Sequence, residues 1–311
     1  MKILFFGTPE FSAGFLRFLV RETEHEVLGA VTQPDRPAGR GRHLQAPPVK
    51  LAAQELGLPV LQPEDLKSPE FEAELRAIGA DLFVVIAFSI LPRNVLAVPR
   101  FGSLNLHGSL LPRYRGAAPV QWAVANGEKV SGVTLFRLDP EMDHGPVVRR
   151  VELPIGEDET AVELFDRMLE AGRPALAEAI SALERGEPPL EQDHSQATKA
   201  PKLKKEDGLL DWNRPAREIH NLVRGLQPWP GAWTALDGKT LRVRATKLSD
   251  GAPAEDAEPG TLRGTEGGKR LWAKCGDRWI ELLRLQPQDK REMLAKEFWC
   301  GLRTKENPKL G

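Results

Sequence analysis

Cysteine is nearly missing from this sequence: Cys275 and Cys300 are the only two in 311 residues. Two thiols cannot build the disulfide framework of a small secreted domain or a cysteine-based zinc site, and their scarcity suits a reducing compartment. Long apolar runs are missing as well, and no stretch approaches the ~20 residues of a membrane span. The opening run Met1–Phe6 is cut at once by Gly7, without the longer apolar region and cleavage site of a signal peptide. The expectation is a cytoplasmic protein, without membrane association, that begins on a strand. Its histidines show no metal-ligand spacing, so no metal is expected. The first turn reads Gly7-Thr8-Pro9-Glu10 and lacks the Gly-x-Gly-x-x-Gly pattern, which argues against a classical dinucleotide site. Internal repeats and heptad runs are absent too.

Net charge is also missing, with 43 Lys plus Arg against 44 Asp plus Glu. The balance hides an asymmetry. Residues 1–198 carry 20 basic and 28 acidic side chains, whereas residues 199–311 carry 23 and 16. A polyanionic partner would be drawn to the second part, although fields of this size are screened at physiological salt. Length and composition, 41% apolar and 28% charged, fit two folded domains rather than a disordered chain.

The first part alternates strand and helix signals. Apolar runs at Lys2–Phe6, His25–Thr32, Asp81–Ala87, Ser103–His107 and Gly132–Leu138 predict strands. Between them Phe11–Leu19, Val49–Leu56, Phe71–Ile78 and later Thr160–Arg185 have helical spacing. Asp81–Ala87 is apolar throughout, as in strands buried on both faces of a parallel sheet. The pattern predicts an α/β, Rossmann-like open and mostly parallel sheet over residues 1–189. A basic insertion, residues 33–48, holds Arg36, Arg40, Arg42 and four prolines; its length suits either a solvated loop or an arm that contacts an anion. Residues 190–205 read as a linker. Residues 206–311 show a helix near Pro215–Leu226 and short strands with Gly, Asp and Asn turns, the pattern of a small antiparallel barrel.

Chemistry concentrates in the middle. Asn105 and His107 lie two apart on one strand, so they share a face at about 7 Å. Such a pair is either a satisfied core couple or part of a ligand site at the end of an open sheet. The apolar, proline-fixed loop Gly108–Pro119 follows, with Arg113 and Arg115; its main chain, partly free of ladder bonds, could bind a flat heterocycle, and Asp143 lies in a turn further along. An amide donor, an imidazole and a carboxylate suit acyl transfer to an amine without a metal or a nucleophilic serine.

The run Ser103–Pro119 (SLNLHGSLLPRYRGAAP), with Gly132-Val133-Thr134 and Asp143-His144-Gly145, resembles the signature of 10-formyltetrahydrofolate-dependent formyltransferases. Further stretches, Phe6–Pro9, Thr32–Gly41, Lys202-Leu203, Asp211-Trp212, Pro228–Pro230 and Gln286-Pro287, resemble the branch of that family acting on charged initiator tRNA. The likeness runs through nearly the whole chain. It implies Asn105, His107 and Asp143 as the catalytic set. Ser109, Leu110, Leu111, Pro112 and Phe88 fall on the folate-contacting loops, with 10-formyltetrahydrofolate as formyl donor. It implies tRNA contacts at Arg36, Arg40, Arg42, Lys202 and Lys204, with an OB-like second domain, and initiator methionyl-tRNA as partner; a monomer is the default expectation. A small amine or nucleotide-sugar as acceptor is the alternative within the family. One departure stands out: Ala87–Pro92 is one residue shorter than the family's pterin-lining loop and lacks its glycine.

Overall fold

Apolar strands separated by amphipathic helices build the first half, and a computed structural model describes residues 1–38, 43–265, 268–302 and 308–311. Its elements run β1 (Lys2–Gly7), α1 (Glu10–Glu22), β2 (Glu26–Val31), β3 (Arg36–Ala38), β4 (His43–Gln45), α2 (Pro48–Glu55), β5 (Val60–Leu61), α3 (Pro69–Ile78) and β6 (Leu82–Ile86). They continue through α4 (Arg93–Leu96), β7 (Ser103–His107), β8 (Arg115–Gly116), α5 (Pro119–Ala125), β9 (Val130–Arg137), β10 (Val147–Pro154), α6 (Ala161–Glu184) and β11 (Lys199–Ala200). Seven strands form one sheet in the order β10-β9-β7-β6-β1-β2-β5. β1 runs parallel to β2 and β6, and β6 parallel to β7, whereas β9 lies antiparallel to β7.

Every residue of β6 is buried, which is why that stretch shows no polar alternation. Phe6 and Phe83 meet with ring centroids 4.9 Å apart, and each fully buried aromatic or aliphatic side chain stabilises the sheet by roughly 1.5–3 kcal/mol. Helix α3 starts where Ser68 Oγ accepts the Phe71 amide at 3.2 Å and stops at the left-handed Gly79, the usual caps at each end. The expected insertion is built as a hairpin, with Arg36 opposite Gln45 and Pro37 opposite Leu44. Arg40 and Arg42 lie outside the described residues.

The last elements are α7 (Ala216–Gly225), β12 (Ala232–Leu236), β13 (Lys239–Lys247), β14 (Leu262–Gly264), β15 (Leu271–Lys274), β16 (Trp279–Pro287), β17 (Met293–Leu294) and α8 (Ala295–Gly301). The strands pair antiparallel in the order β12-β13-β16-β15-β14, with β17 added to β16. The two outer strands are bridged rather than left open. Leu310 pairs with Leu236 of β12, and Lys309 pairs with Thr261 beside β14. Residues 308–311 thus close the sheet into a barrel, filled by Leu241, Val243, Ile280 and Leu282 and capped by Ile219 and Val223 of α7. Trp212, Trp272 and Trp279 are buried, whereas Trp229 is exposed.

By packing, the chain divides into Met1–Gly116 with Gly132–Leu153 and Arg167–Lys199, and Ala117–Ser131 with Pro154–Asp166 and Ala200–Gly311. The sequence expectation cut at 189 and treated 190–205 as linker; residues 190–199 instead pack within the first unit. Leu190 exchanges two main-chain hydrogen bonds with Val147, at 2.7 and 2.8 Å. The second unit takes in α5, which packs on α7.

Candidate active site

Strand β7 presents Asn105 and His107 from one face. Asn105 Nδ2 donates to the Val85 carbonyl at 2.9 Å, tying β7 to β6 just before that strand ends. His107 is buried, and its Nε2 sits 2.8 Å from the Tyr114 carbonyl oxygen. A carbonyl only accepts, so Nε2 carries the proton. The other ring nitrogen, Nδ1, faces Asp143 Oδ2 at 3.7 Å. That gap exceeds a direct hydrogen bond but admits a water or amine bonded to both groups.

Asp143 reaches this position through a turn that few residue types make easily. Its φ is 52°, a left-handed conformation that Asp tolerates better than most residues. The Gly116 amide donates to its Oδ2 at 2.8 Å. Two residues on, Gly145 must be glycine because a Cβ there would collide with the Arg137 carbonyl oxygen. The neighbouring His144 bonds Asp139 Oδ2 through Nδ1 at 2.6 Å and stacks on His194 with centroids 4.0 Å apart.

The loop after β7 differs from expectation in one respect. Sequence reasoning treated its main chain as partly free to bind a flat heterocycle. Thr134 Oγ1 instead donates to the Ser109 carbonyl at 2.6 Å and accepts from the Leu111 amide at 3.1 Å. Ser109 Oγ donates to the Arg113 carbonyl at 2.6 Å. These bonds shape the loop internally, so its contribution to binding rests more on the Leu110 and Pro112 side chains, both half-buried, than on Ser109 and Leu111, which are buried. Phe88 stands edge-on to Phe6 at 5.6 Å, a half-buried aromatic at the end of β6. The preceding Ala87 has φ 49°, so the shortened loop turns through a left-handed alanine where a glycine would bend without strain. Half-buried Leu110, Pro112 and Phe88 offer apolar surface of the kind against which a flat, mostly apolar heterocycle packs.

Of the basic residues expected to contact RNA, Arg36, Lys202 and Lys204 fall among the described residues. Arg36 donates to Gln33 Oε1 at 3.0 Å, and Gln33 Nε2 donates to Ser89 Oγ at 2.8 Å, which links the hairpin base to the Ala87–Pro92 loop. Lys202 and Lys204 are exposed and belong to the second unit. Among the described residues no group of three or more His, Cys, Asp or Glu could hold a metal ion, and no helix is long and apolar enough to cross a membrane. Sequence reasoning missed the groups that hold the pair in place: the Tyr114 carbonyl, the Gly116 amide and Gln192, whose side chain bonds the Asp143 carbonyl. Nothing in their spacing marked them, because two act through the main chain and Gln192 lies in the segment read as a linker.

Comparison with known proteins extends over the whole chain. Residues 1–180 match the model described as "Formyl transferase", and residues 202–303 match "Formyl transferase, C-terminal domain". The chain is 47% identical to the methionyl-tRNA formyltransferase of Acidobacterium capsulatum over 316 residues, covering all of both chains. It is 45% identical to that of Desulfotalea psychrophila, covering 97% of this chain and 93% of the relative. Among solved structures, a sugar 3N-formyl transferase, WlaRD, superposes with a TM-score of 0.67 at 17% identity over 94% of this chain and 99% of its own. HypX from Aquifex aeolicus in complex with tetrahydrofolic acid gives 0.65 at 18% identity over 99% of this chain and 50% of its own.

Proposed function

The chain belongs to the formyl transferase family, and from that premise we propose that it transfers the formyl group of 10-formyltetrahydrofolate to the α-amine of methionyl initiator tRNA. The observation that carries the reading is the approach of His107 Nδ1 to Asp143 Oδ2, 3.7 Å, on the strand that also bears Asn105, in a chain similar end to end to methionyl-tRNA formyltransferases. Under this reading the folate lies against Leu110, Leu111, Pro112 and Phe88 with Ser109 behind them, and supplies a formyl group bound to nitrogen.

The protein's own groups then have distinct tasks. A carboxamide nitrogen carries two N–H groups; one of Asn105's is bonded to Val85, and the other remains to stabilise negative charge on the formyl oxygen. With Nε2 held by Tyr114, His107 acts through Nδ1: as an imidazolium, protonated on both nitrogens, it donates the Nδ1 proton to that oxygen or to the departing nitrogen. Asp143 accepts the proton shed by the attacking amine, directly or through a water in the gap. Holding two reactants in register can lower the barrier by as much as ~7–11 kcal/mol, so the RNA-binding groups share in catalysis. The hairpin, through Arg36, Arg40 and Arg42, reaches the acceptor end, while Lys202, Lys204 and the basic barrel follow the phosphates.

The test is direct: incubate the protein with 10-formyltetrahydrofolate and methionyl initiator tRNA and look for N-formylmethionine. Formylation of a small amine or an amino sugar nucleotide in preference to charged tRNA would replace the acceptor. Rapid formate release without any acceptor would make the protein a hydrolase.

A further inference from the structure

Both groups that define the catalytic pair's geometry rest on left-handed residues outside glycine. Asp143 has φ 52°, and Tyr114, whose carbonyl holds His107, has φ 60°. Residues other than glycine adopt this conformation only where their surroundings enforce it. The same short segment enforces it at both places. Gln192, which is 4% exposed, donates from Nε2 to the carbonyls of Asp143 at 3.0 Å and Gly145 at 2.7 Å. Its Oε1 accepts from Arg115 at 2.7 Å. Six residues later, Thr198 Oγ1 accepts the Tyr114 amide at 2.8 Å, and the Thr198 carbonyl accepts the Arg115 amide at 2.8 Å.

From this we infer that Gln192 and Thr198 are positioning residues for the formyl transfer, setting the distance between His107 and Asp143 from a segment that touches neither reacting side chain. The inference rests on the proposed function above. Both N–H groups of the Gln192 amide go to the turn that carries Asp143, and a buried amide with its donors so committed fixes its partners closely. Thr198 does the same for Tyr114, and hence for the ring nitrogen that must keep its proton. Arg115 joins the two arms, donating its side chain to Gln192 and its amide to Thr198. A merely structural residue would contribute to melting temperature alone; these two would move turnover without moving substrate affinity.

The experiment compares Gln192→Leu with the parent enzyme in formylation of methionyl initiator tRNA. The expected result is a kcat lower by on the order of 10- to 100-fold, with KM for both substrates within about twofold. In an Asp143→Asn background, the same substitution should cost little further, because its effect passes through Asp143. A second pair reports on the other arm and covers the case of a Gln192 variant that does not fold. Thr198→Val should lose turnover, and Thr198→Ser, which keeps the hydroxyl, should recover it. Undiminished kcat in Gln192→Leu, equal losses in both backgrounds, or equal activity of the two Thr198 variants overturns the inference. A parent enzyme that forms no N-formylmethionine removes the proposed function itself, a result separable from these.

Discussion

His107 and Asp143 face one another across 3.7 Å, with the far side of the imidazole already bonded to a main-chain carbonyl. The ring therefore has one nitrogen for the reaction, and the carboxylate is the charged group that nitrogen faces. Asp143→Asn keeps size and shape but removes the charge and the proton acceptor. Single-turnover formyl transfer should fall by roughly 10²–10⁴-fold in Asp143→Asn and in His107→Ala, with tRNA binding, measured by filter retention, unchanged. Asn105→Ala should lose roughly 10²–10³-fold. Near-parental rates in either of the first two variants would remove the assignment.

Helices α5 and α7 approach so closely that a Cβ on Gly225 would lie 2.5 Å from the Ala125 amide nitrogen and 2.7 Å from its Cα. Neither neighbour is a flexible side-chain end, so the helices must part to admit it. Gly225→Ala should destabilise the second unit by roughly 1–3 kcal/mol, as overpacking does, despite alanine's better helix propensity. Urea denaturation reads the change.

His220 is buried on α7, with Nδ1 2.9 Å from Thr246 Oγ1 and Nε2 3.2 Å from the Glu157 carbonyl. Burial, above all, holds its pKa below the ordinary value, with a smaller contribution from nearby Arg224. The unfolded chain therefore takes up a proton near pH 6.5 while the folded one resists it. Stability contributed here is present above about pH 6.5 and declines as the pH falls below it. Denaturation midpoints measured at pH 5.5 and 7.5 should differ in that direction. The difference should shrink in His220→Asn, leaving the part due to His25, whose pKa burial also lowers.

Of the two thiols, Cys275 is buried in the barrel and burial pushes it up to about 12, whereas Cys300 is exposed. A thiolate is the reactive form. Native protein should titrate one fast thiol with a disulfide reagent at pH 8, and Cys300→Ser should abolish that fast phase. Labelling of two thiols before unfolding would show that Cys275 is reached by solvent.

Much of this molecule is legible in its sequence because burial leaves a periodic trace. β7 runs Ser103–His107 as expected, and β6 and α6 differ from the expected bounds only at their ends. The hairpin β3–β4 escaped notice because prolines and arginines carry no alternation, and β12 because it follows directly on the Pro228–Pro230 turn. Asn105, His107 and Asp143 could be picked out as side chains of suitable chemistry. Their supports could not, since a main-chain carbonyl or amide is the same in every residue. Gln192 reads as solvated linker in the sequence because its neighbours Glu191 and Asp193 are charged and no apolar period surrounds it.

The segment from 190 to 199 lies between the two stretches that the family models match, 1–180 and 202–303. Chimeras of this chain with a relative should therefore be sensitive to where the parents are spliced. A crossover at 189 hands the turn at Asp143 a foreign brace, whereas one just after Lys199 transplants brace and turn together.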